Sequence, residues 1–455
     1  MNWLLISALF VLLMFPILKR INKRCLDPYE VLVWVVFYYG WCYVLRPVYM
    51  LITGSGHMYL SLNEYELHKL LSFGISYALL GILFFFAGYR LKLGFLLARR
   101  LPFPKILWDS RRVNKLIMIY TLIGIISSIA YVNANGGLLF YIQHIHWFRS
   151  ESLNIRLAFL QWGFQLFPIA SYIWLLYTFQ SPHRSILSKW LLGVYVLCTS
   201  VSLLILGGRA GVVTYWLMLG LIYHYCRRRL RIRYLLIASL FFLLFLIFTG
   251  HVRGKLLSVP DSYASGLLNF SSVEPISVKS IPNAFLGSPD SDAMDVFMGL
   301  LRGVPNEFPL QYGKPFLDFF KALIPAGLLP ITGAREVLRV YLLGEQIRDT
   351  FWPHYGGGTP PSILGFLYLN FHFIGIIVGM FLLGIFSKMV YGYLLYNQQN
   401  RGVVLLYGLT LLGFITWMIR SGDFVHVAHG YVIRFMFAII GFNLITHGRF
   451  MRRSL

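Results

Sequence analysis

Long apolar runs recur along most of the chain, and short stretches that carry the charge interrupt them. Each run has about the 20 residues that an α-helix needs to cross a bilayer core of about 30 Å. A segment inside lipid must satisfy its backbone hydrogen bonds internally, which favours helices. The pattern therefore predicts an all-α polytopic membrane protein. The eleven predicted spans are residues 3–18, 31–53, 69–89, 115–134, 157–179, 189–206, 210–226, 234–250, 361–386, 402–419 and 430–447.

The composition of the 455-residue chain excludes two other classes of protein. Hydrophobic residues make up 58% of it and charged residues only 13%, whereas a soluble domain carries about a quarter charged residues. Disorder requires low hydrophobicity, and the mean hydropathy here is +0.67. The chain is therefore neither an ordinary soluble enzyme nor a disordered protein.

The formal net charge of +23 is distributed in step with the predicted spans. Of the 40 lysines and arginines, 24 follow odd-numbered spans, together with only three acids, Asp27, Glu30 and Asp109. The positive-inside rule predicts that these connections are cytoplasmic, so that the N-terminus is periplasmic and the C-terminus cytoplasmic. Because the charge follows the membrane, no nucleic-acid partner is expected.

One connection is much longer than the others and divides the chain into three parts. Residues 1–250 hold spans one to eight, residues 251–360 form a large outer loop, and residues 361–455 hold spans nine to eleven. A long structured loop is usually functional. Capping residues predict three short amphipathic helices in it, at 293–302, 316–324 and 334–343, the last closed by Gly344. These helices are expected to lie on the bilayer or on the bundle.

Arginines in or beside apolar spans are informative because a charge at membrane depth is costly. Snorkelling to head groups or pairing with loop acids explains any one of them alone. A cluster on the outer side favours an anionic ligand, and a diphosphate suits the bidentate guanidinium. The candidate ligand-binding arginines are Arg46, Arg209, Arg253, Arg302, Arg420 and Arg434.

Candidates for acid–base chemistry and for other polar contacts lie on the same predicted side. His354 stands before a glycine run that could close over a substrate, and Glu307 could act as a base or pair with Arg302. Asp423 and His429 are spaced to share a helical face, and Asn370 lies midway in the ninth span. No nucleotide-binding, hydrolase or zinc motif is present, so we expect no cofactor, no metal and an already activated donor.

The order of these features resembles that of the bacterial oligosaccharide repeat-unit polymerases, the Wzy-type O-antigen and enterobacterial-common-antigen polymerases. The matching segments are 135–139 (NGGLL), 206–210 (LGGRA) and 361–371 (PSILGFLYLNF), with Arg420 after the tenth span. The chain departs from the family at Phe366, where many members have Glu, and at His372, where many have Gly. No role of that glutamate can therefore be carried over.

The resemblance implies a fold similar to the GT-C-type membrane glycosyltransferases and an active site on the periplasmic face of the inner membrane. The implied donor is a growing glycan on undecaprenyl diphosphate, and the acceptor is a new lipid-linked repeat. Arg209 and Arg420 match the arginines thought to hold the diphosphate. A chain-length regulator and a flippase are implied as partners, beside membrane lipids. A ligase of the same superfamily, a lipid-linked oligosaccharide flippase and an envelope scaffold remain alternatives.

Overall fold

The computed structural model describes most of the helical part of the chain. The described residues are 1–23, 26–54, 63–104, 108–137, 160–180, 185–206, 209–231, 234, 237, 240–242, 244, 286, 291–324, 343–351, 359–446 and 450–451. Arg253, His354 and most of the predicted span 234–250 lie outside them.

Almost every described element is a helix. The helices are α1 (Asn2–Asn22), α2 (Val31–Gly40), α3 (Arg46–Thr53), α4 (Glu64–Arg90), α5 (Leu93–Arg100), α6 (Ser110–Ala134), α7 (Leu160–Phe164), α8 (Leu166–Gln180), α9 (Ile186–Leu206), α10 (Arg209–Cys226), α11 (Ala293–Gly303), α12 (Lys314–Ala322), α13 (Leu343–Phe351), α14 (Ser362–Tyr396), α15 (Arg401–Thr410), α16 (Thr416–Ser421) and α17 (Phe424–Thr446). One π-helical turn, Trp41–Leu45, joins α2 to α3, and another, Leu411–Ile415, joins α15 to α16. Two-residue strands, Phe103–Pro104 and Phe450–Met451, pair antiparallel.

Eight helical segments among the described residues are long and apolar enough to cross a membrane. They are Asn2–Asn22, Val31–Thr53, Glu64–Arg90, Ser110–Ala134, Ile186–Leu204, Ser362–Tyr396, Arg401–Ser421 and Phe424–Ile445. The prediction of an all-helical chain with several membrane-spanning helices is confirmed by these eight segments. The total of eleven spans stays a prediction. The fifth predicted span is divided between α7 and α8 at Gln165, and the seventh corresponds to the shorter apolar helix Ala210–Cys226.

Side-chain contacts show that the predicted cytoplasmic connections meet at one end of the bundle, which we call the basic end. Glu30 accepts hydrogen bonds from Arg20 Nη2 and Tyr89 Oη, each at 2.6 Å, which ties the end of α1 to the end of α4. Tyr225 and Tyr391 both donate to Asp27 Oδ2, at 2.8 and 3.1 Å. Residues of connections that the charge pattern placed on the same side of the membrane therefore contact one another at this end of the fold.

The opposite end, which we call the loop end, is held to the described part of the large loop. The Asn2 amide donates to the backbone carbonyl of His68 at 3.2 Å, so α1 and α4 both begin here. The Gly344 N–H donates to Asp423 Oδ2 at 3.3 Å, which joins α13 to the beginning of α17. Which end faces the periplasm stays a prediction.

The helices α4 and α14 form the tightest pair in the bundle because glycines remove side chains from their contact. A Cβ on Gly88 would collide with the backbone carbonyl of Phe381, and one on Gly384 with that of Phe85. Small residues allow this close approach of helix backbones within membranes. These contacts lie toward the basic end of both helices. Toward the loop end the loop helix α11 packs against the same pair, with Met294 against Gly74 of α4 and Leu300 against Gly365 of α14.

Two of the three predicted loop helices are present, the first within one residue of its predicted bounds and the second two residues earlier than predicted. The helix predicted at 293–302 is α11, and its side chains from Ala293 to Leu300 are all buried, so it is inserted into the bundle. The helix predicted at 316–324 is α12, whose exposed Leu317 and Phe320 form an apolar side that suits a bilayer surface.

The end of the third predicted loop helix is wrong. Gly344 stands in the first turn of α13, which begins at Leu343, and closes no helix there. Its N–H donates to Asp423 and its carbonyl accepts the Thr359 N–H at 3.1 Å. These long-range contacts, together with Glu345 in the first turn, favour a helix start over the C-cap that glycine alone suggested. Residues 334–342 lie outside the described residues.

Candidate functional site

A cavity of about 70 Å³ lies toward the loop end, between α8, α10, the π-helical turn Leu411–Ile415 and α17. The side chains with polar groups that line it come from different parts of the sequence: Gln165, Tyr172, Thr214, Tyr215, Trp417 and Arg434. Most of the remaining wall is apolar. A few convergent polar groups on an apolar wall are the usual composition of a ligand site. The enclosed volume is small, so it can hold only a small part of a larger ligand.

Arg434 is held in the wall of this cavity by a glutamine from a neighbouring helix. Its Nε donates to Gln165 Oε1 at 2.8 Å, and Gln165 stands at the break between α7 and α8. On the π-helical turn, an added Cβ at Gly413 would come no closer than 3.9 Å to Arg434 Nη1. One side chain fixes the Nε edge of the guanidinium, and a glycine leaves space beside Nη1.

Arg420 lies near the same cavity through an aromatic neighbour. Its guanidinium carbon stands 5.4 Å from the ring centre of Trp417, within cation–π range. Trp417 in turn lines the cavity. Arg420 is half-buried at the end of α16, where a cation is favoured by the helix dipole. It also interacts electrostatically with Tyr38 and Cys42 of the second span.

The first turns of the helix that begins at Arg209 form part of the cavity wall. Gly211 and Thr214 line it, and a Cβ at Gly211 would meet open space. The N-terminus of a helix carries unpaired N–H groups and a partial positive charge, which favour an anion. The side chain of Arg209 itself lies outside the described part of the structure. The segment that begins at Arg209 is thus brought close to the two consecutive helices that carry Arg420 and Arg434, more than 200 residues later in the sequence.

Arg46 has a different environment. It is 2% exposed, and its Nε donates to Asp295 Oδ2 at 2.9 Å, while Asp295 is fully buried. A second guanidinium nitrogen donates to the carbonyl of Leu286. Burial raises the pKa of the Asp295 carboxyl to about 7, although the charge and hydrogen bond of Arg46 act in the opposite direction. Arg46 therefore anchors the loop helix α11 to α3, and it has almost no exposed surface for a ligand.

Asp423 and His429 do not share one environment, although their spacing predicted a common helical face. Asp423 is buried and precedes α17, where its Oδ1 accepts the backbone N–H of His426 at 3.2 Å. His429 is half-buried with its ring 5.6 Å from that of Trp162. The geometry gives Asp423 the role of a helix cap that also binds the loop at Gly344.

Asn370 stands immediately before a break in α14, which the sequence did not predict. Phe371 and His372 leave helical geometry, and His372 has a φ of 56°. The Gly313 N–H donates to Asn370 Oδ1 at 2.9 Å, and the Gln311 N–H donates to the carbonyl of Leu369 at 2.8 Å. Loop backbone thereby pairs with groups beside the break, which is the condition under which irregular backbone is tolerated at membrane depth.

The two loop candidates that the structure describes are exposed. Arg302 lies in the last turn of α11 and Glu307 follows it, with both side chains in contact with solvent. Within residues 291–324 the structure shows no ion pair between Arg302 and Glu307, so the alternative that Glu307 simply pairs with Arg302 is not supported. His354 and Arg253 lie outside the described residues. The part of the chain that the structure describes contains no group of three metal-ligating side chains.

The structure adds two residues that sequence reasoning missed. Gln165 positions Arg434, and Trp417 connects Arg420 to the cavity. The available signal for the first was a glutamine inside the apolar run 157–179, but Gln161 in the same run carries the same signal. Trp417 carried none, because tryptophans near the ends of spans are commonly interface anchors. Comparisons of the chain with protein-family models, with curated proteins and with solved structures found no match.

Proposed function

We propose that this protein is a membrane glycosyltransferase that polymerises oligosaccharide repeat units carried on undecaprenyl diphosphate, forming O-antigen or a related surface polysaccharide. One observation carries the proposal. Arg434, the Trp417 that supports Arg420, and the first turns of the helix beginning at Arg209 all border one cavity. In the family that the chain resembles, the arginines matching Arg209 and Arg420 are those thought to hold the lipid diphosphate.

The chemistry of a diphosphate donor suits this arrangement of cations. The acceptor hydroxyl attacks the anomeric carbon, the bond from that carbon to the diphosphate oxygen breaks, and the acceptor proton passes to a base. Guanidinium groups and a helix N-terminus stabilise the negative charge that develops on the departing oxygen. The free energy comes from the donor, so the reaction needs no nucleotide.

The small cavity limits what part of the substrate enters it. An enclosed space of about 70 Å³ is well below the several hundred Å³ of a typical ligand pocket. We infer that a phosphate group approaches the arginines, while the prenyl chains lie along lipid-facing helices and the sugars extend into the loop. Glu307, exposed beside α11, and His354 are the candidate bases. In this proposal the loop end faces the periplasm and the protein lies in the inner membrane.

A complementation experiment tests the proposal. A strain lacking the protein is given the wild type or the Arg209→Ala, Arg420→Ala or Arg434→Ala variant, and surface glycan is separated on a gel. We expect each variant to reduce polymer by about a hundredfold, the usual cost of removing one charge-stabilising donor. Arg228→Ala, an exposed arginine at the basic end, is the matched control and should leave the ladder intact.

The outcomes separate the competing functions. Loss of the ladder with one repeat remaining on the acceptor supports the polymerase. Loss of all glycan from the acceptor, with long polymer still on the carrier lipid, supports a ligase. Loss of periplasmic carrier-linked single repeats supports a flippase. Near-normal polymer in the Arg209 and Arg420 variants, with normal amounts of protein, contradicts the diphosphate assignment.

A further inference from the structure

A second cavity, larger than the one at the candidate site, lies at the basic end, far along the helices from that site. It encloses about 430 Å³ between the ends of α1 and α4 and the side of α14. Five cationic side chains line it: Lys19, Arg20, Lys23, Arg90 and Lys388. These cations come from three helices that are distant in sequence, so the fold assembles the cavity.

The charge around this cavity is unbalanced. No carboxylate lines it among the residues that the structure describes. Glu30 lies behind the lining residues, where its Oε1 accepts hydrogen bonds from Arg20 Nη2 and Tyr89 Oη. Lys388 Nζ lies 4.7 Å from the ring centre of Tyr89 and 4.3 Å from that of Phe95. Even with Arg20 neutralised by Glu30, four positive charges face a space large enough for a ligand.

The opposite part of the wall is apolar. Phe15, Pro16, Leu32 and Phe86 line the cavity on the side toward the middle of the helices. Phe15 is 56% exposed on the outer surface of α1, where lipid would lie around a membrane-spanning helix. The cavity therefore presents cations at one edge and a lipid-compatible surface at the other. A soluble anion would use the cations but gain nothing from the apolar wall.

We propose that this cavity binds the phosphate head group of an anionic lipid, with the lipid chains lying along Phe15 and Phe86. Basic pockets between helices near the membrane surface suit such head groups, and each nearby cation strengthens the attraction about fivefold. The binding site is separate from the proposed glycan chemistry and does not depend on it. A lipid held there would bridge α1, α4 and α14 at the basic end.

The test measures lipid binding by the purified full-length chain. The protein is delipidated in detergent, and native mass spectrometry follows the addition of phosphatidylglycerol, cardiolipin, phosphatidylcholine or inorganic phosphate. We expect the two anionic lipids to bind and phosphatidylcholine not to. The double variant Lys19→Gln, Arg90→Gln should bind phosphatidylglycerol about 25-fold more weakly, from two cations at about fivefold each. Both side chains are exposed, so the replacements should leave the fold intact.

A matched double variant distinguishes the cavity from the general positive charge. Arg227→Gln, Arg228→Gln removes two exposed cations from the same end that do not line the cavity. Retention of wild-type affinity within about twofold supports the proposal. Equal weakening in both double variants would overturn it, because binding would then follow net charge. The proposal would also be overturned if the protein bound inorganic phosphate but neither anionic lipid. It would likewise be overturned if phosphatidylcholine bound as tightly as phosphatidylglycerol.

Discussion

The two ends of the bundle both contain arginines, but they use them differently. At the basic end the cations are numerous and mostly exposed, as in Arg227, Arg228 and Arg229. At the loop end fewer are described, and individual partners hold several of them. Arg46 binds Asp295, Arg434 binds Gln165, and Arg420 lies over Trp417. Position along the membrane is enough to explain the exposed arginines that do not line the basic-end cavity, whereas the loop-end arginines require specific geometry.

This difference shows where the sequence and the structure are each informative about charge. A count of basic residues locates the basic end, because the positive-inside rule depends on number and distance from the spans. The count cannot separate Arg46, which anchors a loop helix, from Arg434, which lines a cavity. Only the partner of each guanidinium separates the structural arginine from the candidate ligand-binding one.

The buried ion pair at the loop end should show the largest effect on stability. Asp295→Ala leaves the Arg46 charge buried without its partner, which costs about 3–5 kcal/mol of unfolding free energy. Arg46→Ala should cost less than that, because the Asp295 carboxyl, whose pKa burial already raises to about 7, takes up a proton when its partner is removed. The double variant Arg46→Met, Asp295→Leu removes both charges and should recover most of that loss. Denaturant unfolding of the purified protein in detergent measures all three.

Arg302→Ala is the control for this pair, because Arg302 also belongs to α11 but is exposed. It should change the unfolding free energy by about 0.5 kcal/mol or less. A loss in Arg302→Ala as large as that in Arg46→Ala would contradict the anchoring role of the buried pair.

A pair of glycines with the same backbone conformation gives the next largest effect. Gly54 and Gly422 end α3 and α16 with φ of 61° and 62°. A Cβ at Gly54 meets open space, whereas one at Gly422 would overlap the carbonyl of Ser362 at the beginning of α14. Gly54→Ala should cost about 1–2 kcal/mol of stability from strain alone. Gly422→Ala should cost about 1–3 kcal/mol more from the collision, measured by the same unfolding assay; equal costs would contradict the close approach.

The sequence could predict the membrane spans but not the contacts between distant segments. The spans were predictable because the bilayer imposes an apolar run of fixed length on each helix. The pairing of Asp295 with Arg46 was not, since it joins residues 249 apart, and the local pattern explained that acid by its place in the first turn of a helix. The break at His372 depends on backbone groups of the loop near Gly313. Contacts between distant segments determine the site, and single-sequence patterns report mainly local structure.

Asn370 within α14 and Asn397 at its C-cap extend the comparison to one helix. Asn370 and Asn397 each donate to the carbonyl four residues earlier, at 2.8 and 3.0 Å. Only Asn370 also accepts a hydrogen bond from the loop, from the Gly313 N–H. Asn370→Ala leaves that donor without its partner and should cost about 1–3 kcal/mol, whereas Asn397→Ala should cost about 1 kcal/mol. Hydrogen exchange of the Gly313 amide should rise in the first variant only, and no rise would contradict its pairing with Asn370.

The smallest expected effect concerns Asp27, a carboxylate at the basic end that hydrogen bonds from other helices hold in place. Burial raises the pKa of Asp27, but hydrogen bonds from His224, Tyr225 and the Tyr29 N–H lower it further than burial raises it, so the net pKa lies below its usual value. A lowered folded-state pKa stabilises the protein above the unfolded value of about 3.9, and this contribution is lost as the pH falls below it. The wild type should therefore lose more stability than Asp27→Asn between pH 5 and pH 3, roughly the range over which an ordinary carboxyl titrates. Thermal unfolding of both proteins at a series of pH values measures the difference. If their unfolding temperatures fell equally with pH, the lowered pKa of Asp27 would contribute nothing to stability, which would contradict the prediction.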